Sequence, residues 1–204
     1  MIPDDSVPQH SSVAVCKAAS TPRTPLTSGT LKNWTSNQNQ AVVKLSKRER
    51  SKTGRLLFST NKAIQIALIH RLGELGIRPS EAAEIASAFT MRGSGGGAFI
   101  EGDDPQAVDD LKIRRVPGKL FPSGLTLLVV RPGFQASVIN LSGEPPIDQL
   151  LGSSLGATVL NLNEIDKTVR SALAAEHDVG EQEDEHGNVR LKQHRRASKK
   201  LEPA

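Results

Sequence analysis

Apolar side chains recur along the first ninety residues with a helical period. Ile64, Ala67, Leu68, Leu72 and Leu75 fall at i, i+3, i+4, i+8 and i+11, a stripe broken only by Arg71 at i+7. The spacing predicts a helix that Ser59 caps and Gly76 ends, glycine being the residue most at ease in the left-handed position after a helix. Pro79-Ser80 opens another helix, with Ala82, Ile85, Ala86 and Phe89 on its inner face. Upstream the helices are shorter. Ser12 is placed to cap one over 13–19, and the Ser-, Thr- and Pro-rich stretch 20–27 stops it and makes a turn. Thr27 or Ser28 caps the next, which runs to about Asn37 and carries Leu31 and Trp34 on its inner face.

A helix, a turn and a second short helix followed by basic residues is the order of a helix-turn-helix. Val42 and Val43 begin an extended piece. Lys44, Lys47, Arg48, Arg50, Lys52 and Arg55 follow, Thr53-Gly54 suggests a turn, and Leu56, Leu57 and Phe58 resume the extended run. Two extended pieces around a basic, glycine-containing loop predict a β-wing.

The period changes in the second half. Gly93-Ser94-Gly95-Gly96-Gly97 predicts a flexible joint. Residues 125–130 and 135–141 are β-rich runs joined by Arg131-Pro132-Gly133-Phe134, a good hairpin loop, and 157–162 is a third strand. Asn163 then caps a final helix with Ile165, Val169 and Leu173 on one face. The predicted fold class is α+β. A disordered lead covers 1–11, a winged helix-turn-helix domain 12–92, and a Gly-rich linker 93–97. A small α+β module for self-association or partner binding covers 98–175, and a charged disordered tail 176–204.

Charge sharpens this picture. The net charge of the 204 residues is only +4, but residues 20–62 hold nine Lys or Arg against one acid, Glu49. That local +8 is the electrostatic footprint of a polyanion-binding surface. Each Lys or Arg that neutralises a phosphate releases condensed counterions, so Lys47, Arg48, Arg50 and Arg55 are candidate phosphate contacts. Lys32, Asn33, Asn37 and Gln38 could read base edges, since amides pair with adenine and lysine reaches guanine.

Other chemistry finds no footing. Residues 93–98 fit a permissive G-x-G-x-x-A, but a helix precedes them where a nucleotide fingerprint needs a strand, so they read as linker. Asp103-Asp104 and Asp109-Asp110 read as loop-solvating carboxylates. The five histidines and the single Cys16 form no interpretable ligand or catalytic spacing, which predicts a non-enzyme without cofactor or metal. The lone cysteine, and the absence of an apolar run long enough to span a bilayer, predict a reduced, cytoplasmic protein with no membrane partner. The N-x-[ST] matches at Asn33 and Asn140 then read as chance.

Three stretches in order, Thr30-Leu31-Lys32-Asn33-Trp34, Gly54-Arg55-Leu56-Leu57-Phe58-Ser59 and Arg71-Leu72-Gly73-Glu74-Leu75-Gly76-Ile77, resemble the MerR-type winged helix-turn-helix. That family's pattern is roughly T-L-R-Y-W, then G-R-R-x-Y-S, then a leucine-glycine helix end before a capped helix. The resemblance covers about residues 12–90. It departs from the family at Asn33, where an aromatic is usual, and at 93–97, where the family's dimerisation helix would begin. The resemblance implies that the helix holding Thr30, Lys32 and Asn33 enters the major groove. It makes Lys32 a backbone or base contact and Arg55 a wing phosphate contact, with Trp34 and Phe58 holding the helix against the wing strand. The resulting expectation is a bacterial-type transcriptional regulator bound to double-stranded DNA, with a homodimer left open. A winged-helix interaction or assembly module without sequence-specific DNA binding is the alternative.

Overall fold

A computed structural model of the chain describes residues 5–36, 41–45, 56–91, 115–141, 151 and 156–180. The architecture is α+β. Among the described residues it contains five α-helices, a two-stranded sheet and a three-stranded sheet, and no helix is long and apolar enough to cross a membrane.

Helix α1 spans Ser12–Ala19 and α2 spans Ser28–Ser36. Ser11, one residue before the expected cap, closes α1 by accepting from the Ala14 N–H at 3.1 Å. Thr27 accepts the Thr30 N–H at 3.1 Å at the start of α2. Helix α3, Thr60–Glu74, is capped by Ser59, whose hydroxyl accepts from the Lys62 N–H at 3.2 Å. Its end is the one expected. Gly76 has φ +83, and the Ile77 N–H returns to the Leu72 carbonyl at 3.1 Å. Helix α4, Pro79–Thr90, buries Ala82, Ile85, Ala86, Ala88 and Phe89.

The apolar stripe of α3 understates its burial. Besides Ile64, Ala67, Leu68 and Leu72 it buries Ala63, Gln65, Ile66 and Ile69, while Leu75 lies exposed. The reason is its position: α1 and α4 pack on it, and so does the last helix, α5 (Leu162–Gly180). A helix surrounded by neighbours must be apolar on several sides.

Strand β1 is His10–Ser11 and β2 is Leu57–Phe58, and the two are antiparallel partners. The expected wing has one extended piece beginning at Val42-Val43 and another at 56–58. Leu57 and Phe58 pair with Ser11 and His10, while Val42 and Val43 lie in a bend whose Val43 N–H donates to the Trp34 carbonyl at 3.0 Å. Val43 is fully buried, so its apolar character serves the core and not a strand pair. The basic loop expected at 46–55 lies outside the described residues.

The second sheet has the order β4-β3-β5, with β3 Leu125–Arg131, β4 Gln135–Leu141 and β5 Thr158–Asn161 all antiparallel. The four-residue hairpin loop falls nearly where expected, Pro132–Phe134 forming a 3₁₀ turn. Asn161 caps α5 through the N–H groups of Asn163 and Glu164, at 3.0 and 3.3 Å. Asn163, the expected cap, instead accepts from the Thr126 N–H at 2.7 Å and ties the helix start to β3. Ile165, Val169 and Leu173 are buried as their spacing requires, and α5 continues to Gly180, into the expected tail.

Two expectations about layout change. Residues 5–11, expected as a disordered lead, are held in place. Asp5 is 4% exposed and accepts both terminal nitrogens of Arg170 at 2.8 Å as well as a bond from Lys119. Its carbonyl receives the Asn61 N–H at 3.2 Å, and the Gln9 N–H reaches the Phe58 carbonyl at 3.0 Å. The segment is therefore a strap laid across α3, β2 and α5. Burial alone would raise the Asp5 carboxyl, but Arg170 and Lys119 outweigh it and hold the group below the ordinary carboxylate range. Second, residues on both sides of the expected linker share one hydrophobic cluster, in which Leu128, Val130, Val169 and Leu173 join Val15, Ile66 and Phe89. The linker itself, 93–97, lies outside the described residues.

The segment ahead of β3 is fastened to α4 by Arg115, which is 4% exposed. It donates to the carbonyls of Phe89 at 2.7 Å and Ala88 at 3.1 Å, and its guanidinium lies 5.0 Å from the Phe89 ring centre. Burial pulls its pKa down to about 10, so it remains cationic at neutral pH and supplies charge to the C-terminal end of α4. Gly118 (φ +73) lies so close to α3 that a Cβ there would meet the Asn61 side chain at 2.6 Å.

Candidate nucleic-acid interface

The α1–turn–α2 unit is the part of the fold that presents polar side chains on a short supported helix. The turn is built from hydroxyl groups. Ser20 donates to the Cys16 carbonyl at 2.7 Å and accepts the Leu26 N–H at 2.9 Å. Thr21 Oγ1 accepts the N–H groups of Arg23 and Thr24, at 3.3 and 3.0 Å. These bonds satisfy a backbone that the prolines at 22 and 25 keep out of a helix.

Helix α3 clasps this turn from below. The Glu74 carboxylate accepts from the hydroxyls of both Thr21 and Thr24. His70 Nε2 lies 2.9 Å from the Thr24 carbonyl, so that nitrogen must carry the proton. Burial is the largest single influence and raises the Glu74 carboxyl, but the two threonine hydroxyls and the nearby charges of His70 and Arg71 together hold it below its ordinary value. Nothing in the sequence pattern marks this clasp, because Glu74 lies about fifty residues from both threonines.

Helix α2 rests on this base with a sharp division of faces. Leu31 and Thr35 are buried, and Thr35 donates to the Leu31 carbonyl at 3.0 Å. Lys32, Asn33 and Ser36 are exposed, as are Ser28 and Gly29 at its start. Thr30 is half-buried, with its hydroxyl 2.9 Å from that of Thr27. Trp34, expected on the inner face, is half-buried against the cluster to which Phe58 also belongs.

Of the nine residues singled out from the sequence, the structure therefore places Thr30, Lys32 and Asn33 together on α2. Asn37, Gln38, Lys47, Arg48, Arg50 and Arg55 lie outside the described residues. Two further cations flank the unit: Arg23 is exposed in the turn, and Lys44 is exposed just after α2. Lys62 donates from its ammonium to the Lys44 carbonyl at 2.9 Å and to Gln65 at 3.2 Å, which stiffens the approach to the basic segment. Comparison with protein-family models, curated proteins and solved structures finds no match to this chain.

Proposed function

We propose that this protein binds double-stranded DNA as a transcriptional regulator, laying α2 in the major groove and gripping phosphates with the basic segment that follows. The observation that carries the reading is the face division of α2. Leu31 and Thr35 anchor it, while Lys32 and Asn33 are exposed within residues 20–62, the stretch in which the chain concentrates a charge of +8. A helix held this way can meet base edges without unfolding its own core, and Lys32 and Asn33 have the donors and acceptors that major-groove edges require. Arg23, Lys44, Lys47, Arg48, Arg50 and Arg55 supply the sequence-independent part of the affinity. Assignment to a MerR-type winged helix-turn-helix belongs to this proposal and rests on the ordered motifs at 30–34, 54–59 and 71–77.

The test is the salt dependence of duplex binding. Replacing Lys47, Arg48, Arg50 and Arg55 with Ala should weaken binding to every duplex. It should also flatten the slope of log affinity against log salt by about 0.9 for each phosphate that is no longer neutralised. A slope identical to that of the unaltered protein removes the basic segment from the interface. Selection of duplex fragments from a random pool then separates a sequence-reading α2, which enriches a motif, from a helix that binds without preference.

A further inference from the structure

The group that receives Asp5 is built as a receptor for a carboxylate. Arg170 directs its two terminal nitrogens at the two Asp5 oxygens, 2.8 Å to each, while its Nε donates to Asp166 Oδ2 at 2.8 Å. Asp166, 8% exposed and one helical turn earlier on α5, thereby fixes the plane of the guanidinium before anything binds its outer edge. Lys119 adds a third donor to Asp5 Oδ2 from a different segment. Two parallel bonds from a planar fork match the spacing of carboxylate oxygens, and fixing the fork in advance lowers the entropy lost on binding.

The occupant comes from elsewhere in the chain. Asp5 lies in the strap ahead of β1, and Ser6, Val7 and Gln9 between them are exposed, Val7 to 48%. Beside the fork opens a cavity of 210 Å³. Gln9, His10 and Thr60 give it a polar wall, and Leu173 and Ala174 an apolar one. Arg170, which holds Asp5, therefore borders a space large enough for the body of a small organic acid.

We propose that Arg170 and Lys119 form a carboxylate-binding site whose resident occupant is the chain's own Asp5, and which accepts a small monocarboxylate in trans when that side chain is withdrawn. Charge selects the class. Two cations set against Asp166 leave a single positive charge to be matched, which a monocarboxylate does and a phosphate dianion overshoots. The strap runs on into β1 and, through Ser11, into the cap of α1, so the occupant of this site decides whether the strap is fastened to α5 at residue 5. This inference is independent of the nucleic-acid reading.

The experiment is chemical rescue, read by thermal unfolding of Asp5→Ala in sodium acetate and in sodium chloride at equal ionic strength and neutral pH. In chloride the melting temperature should fall by about 3–6 °C relative to the unaltered protein, because Asp5 is buried while Arg170 and Lys119 are 35% and 40% exposed and water takes up part of the loss. Saturating acetate should return more than half of that drop, and should do nothing for Asp5→Ala combined with Arg170→Ala. Equal melting in the two salts overturns the site, and so does an acetate gain that survives the removal of Arg170. Phosphate that rescues as well as acetate overturns the monocarboxylate assignment. If Asp5→Ala does not fold in chloride, recovery of its helical circular dichroism on refolding becomes the readout. Recovery in acetate alone supports the site, and failure in both salts counts against it.

Discussion

Helix α2 buries two of its nine residues, whereas α3 buries nine of its fifteen. The first is kept helical by polar ties: the Thr27 cap, the bonds of Thr35 to its own helix, and the clasp of Glu74 on the preceding turn. The second is kept helical by contact with α1, α4 and α5 on several sides. Burial on several sides gives α3 its strength and leaves it little to present. Polar ties hold α2 in place while most of its surface stays in water, and that combination suits a helix whose outer face is meant to touch something else. Such ties add little to overall stability, because each local bond contributes only about 1 kcal/mol.

The contrast between the two helices should be most visible when the core of α3 is opened. Leu68 is fully buried, and Leu68→Ala should cost about 2–5 kcal/mol in equilibrium urea unfolding, the range for truncating a buried leucine. A cost below about 1 kcal/mol would mean that α3 is not the pillar its burial indicates.

On α2 the largest side chain is Trp34, and it is only half-buried. Trp34→Ala should therefore cost about 1–2 kcal/mol, below the roughly 3–5 kcal/mol for an enclosed large aromatic. A destabilisation as great as that of Leu68→Ala would put α2 in the same class as α3 and erase the distinction.

Acid separates the two helices further, because it acts on the clasp. The folded-state pKa of Glu74 lies below its ordinary value of 4.5. Its contribution is thus complete above that value and is lost as pH falls through the folded-state pKa. Glu74 is exposed, so solvent screening keeps the contribution below about 1 kcal/mol. Trp34 is the only tryptophan and sits on the clasped unit, so its emission should shift as pH drops below about 4.5. The same titration of Glu74→Gln should lack that step. A step that persists unchanged in the variant would show that α2 is held by something other than the clasp.

How much of this was legible in the sequence follows the same division. The helices and strands held by burial announce themselves. The stripe from Ile64 to Leu72, the face of Ile85 and Phe89, and the run 125–130 with its hairpin loop each carry their own period. Where the partner is remote, the period is silent. Asp5 meets Arg170 across 165 positions, and β1 meets β2 across nearly fifty, so the short polar segment reads as a disordered lead and its pairing with Leu57-Phe58 leaves no trace in the pattern. The single cluster joining both halves was hidden for a related reason, since α5 is amphipathic in isolation and only packing shows that its apolar face covers α1 and α3. On α2 the sequence identified Leu31 as inner and Lys32 and Asn33 as outer, because one helical turn suffices to assign them. It missed the support beneath, because the threonine–glutamate clasp has no periodic signature.

The smallest effect on stability should come from the residues on which the proposed function most depends. Lys32 and Asn33 are exposed, and no hydrogen bond among those described engages either side chain. Each is rotated from the buried Leu31 by about 100° per residue, which carries them off the face that α1 supports. Replacing both with Ala removes no packing and slightly improves intrinsic helix propensity at position 33. The pair should therefore unfold within about 0.5 kcal/mol of the unaltered protein. Affinity for a selected duplex should drop, while binding to unrelated duplex through the basic segment should persist, because phosphate contacts and base contacts are carried by different side chains. The measurement is a side-by-side titration of the selected and a scrambled duplex at one salt concentration. If α2 is a recognition helix, the ratio of the two affinities collapses towards unity and the scrambled-duplex affinity is little changed. If both fall together, Lys32 acts as one more phosphate contact and α2 does not read sequence. If neither moves, the exposed face of α2 is free for another partner, and the distinction drawn here between α2 and α3 is one of stability alone.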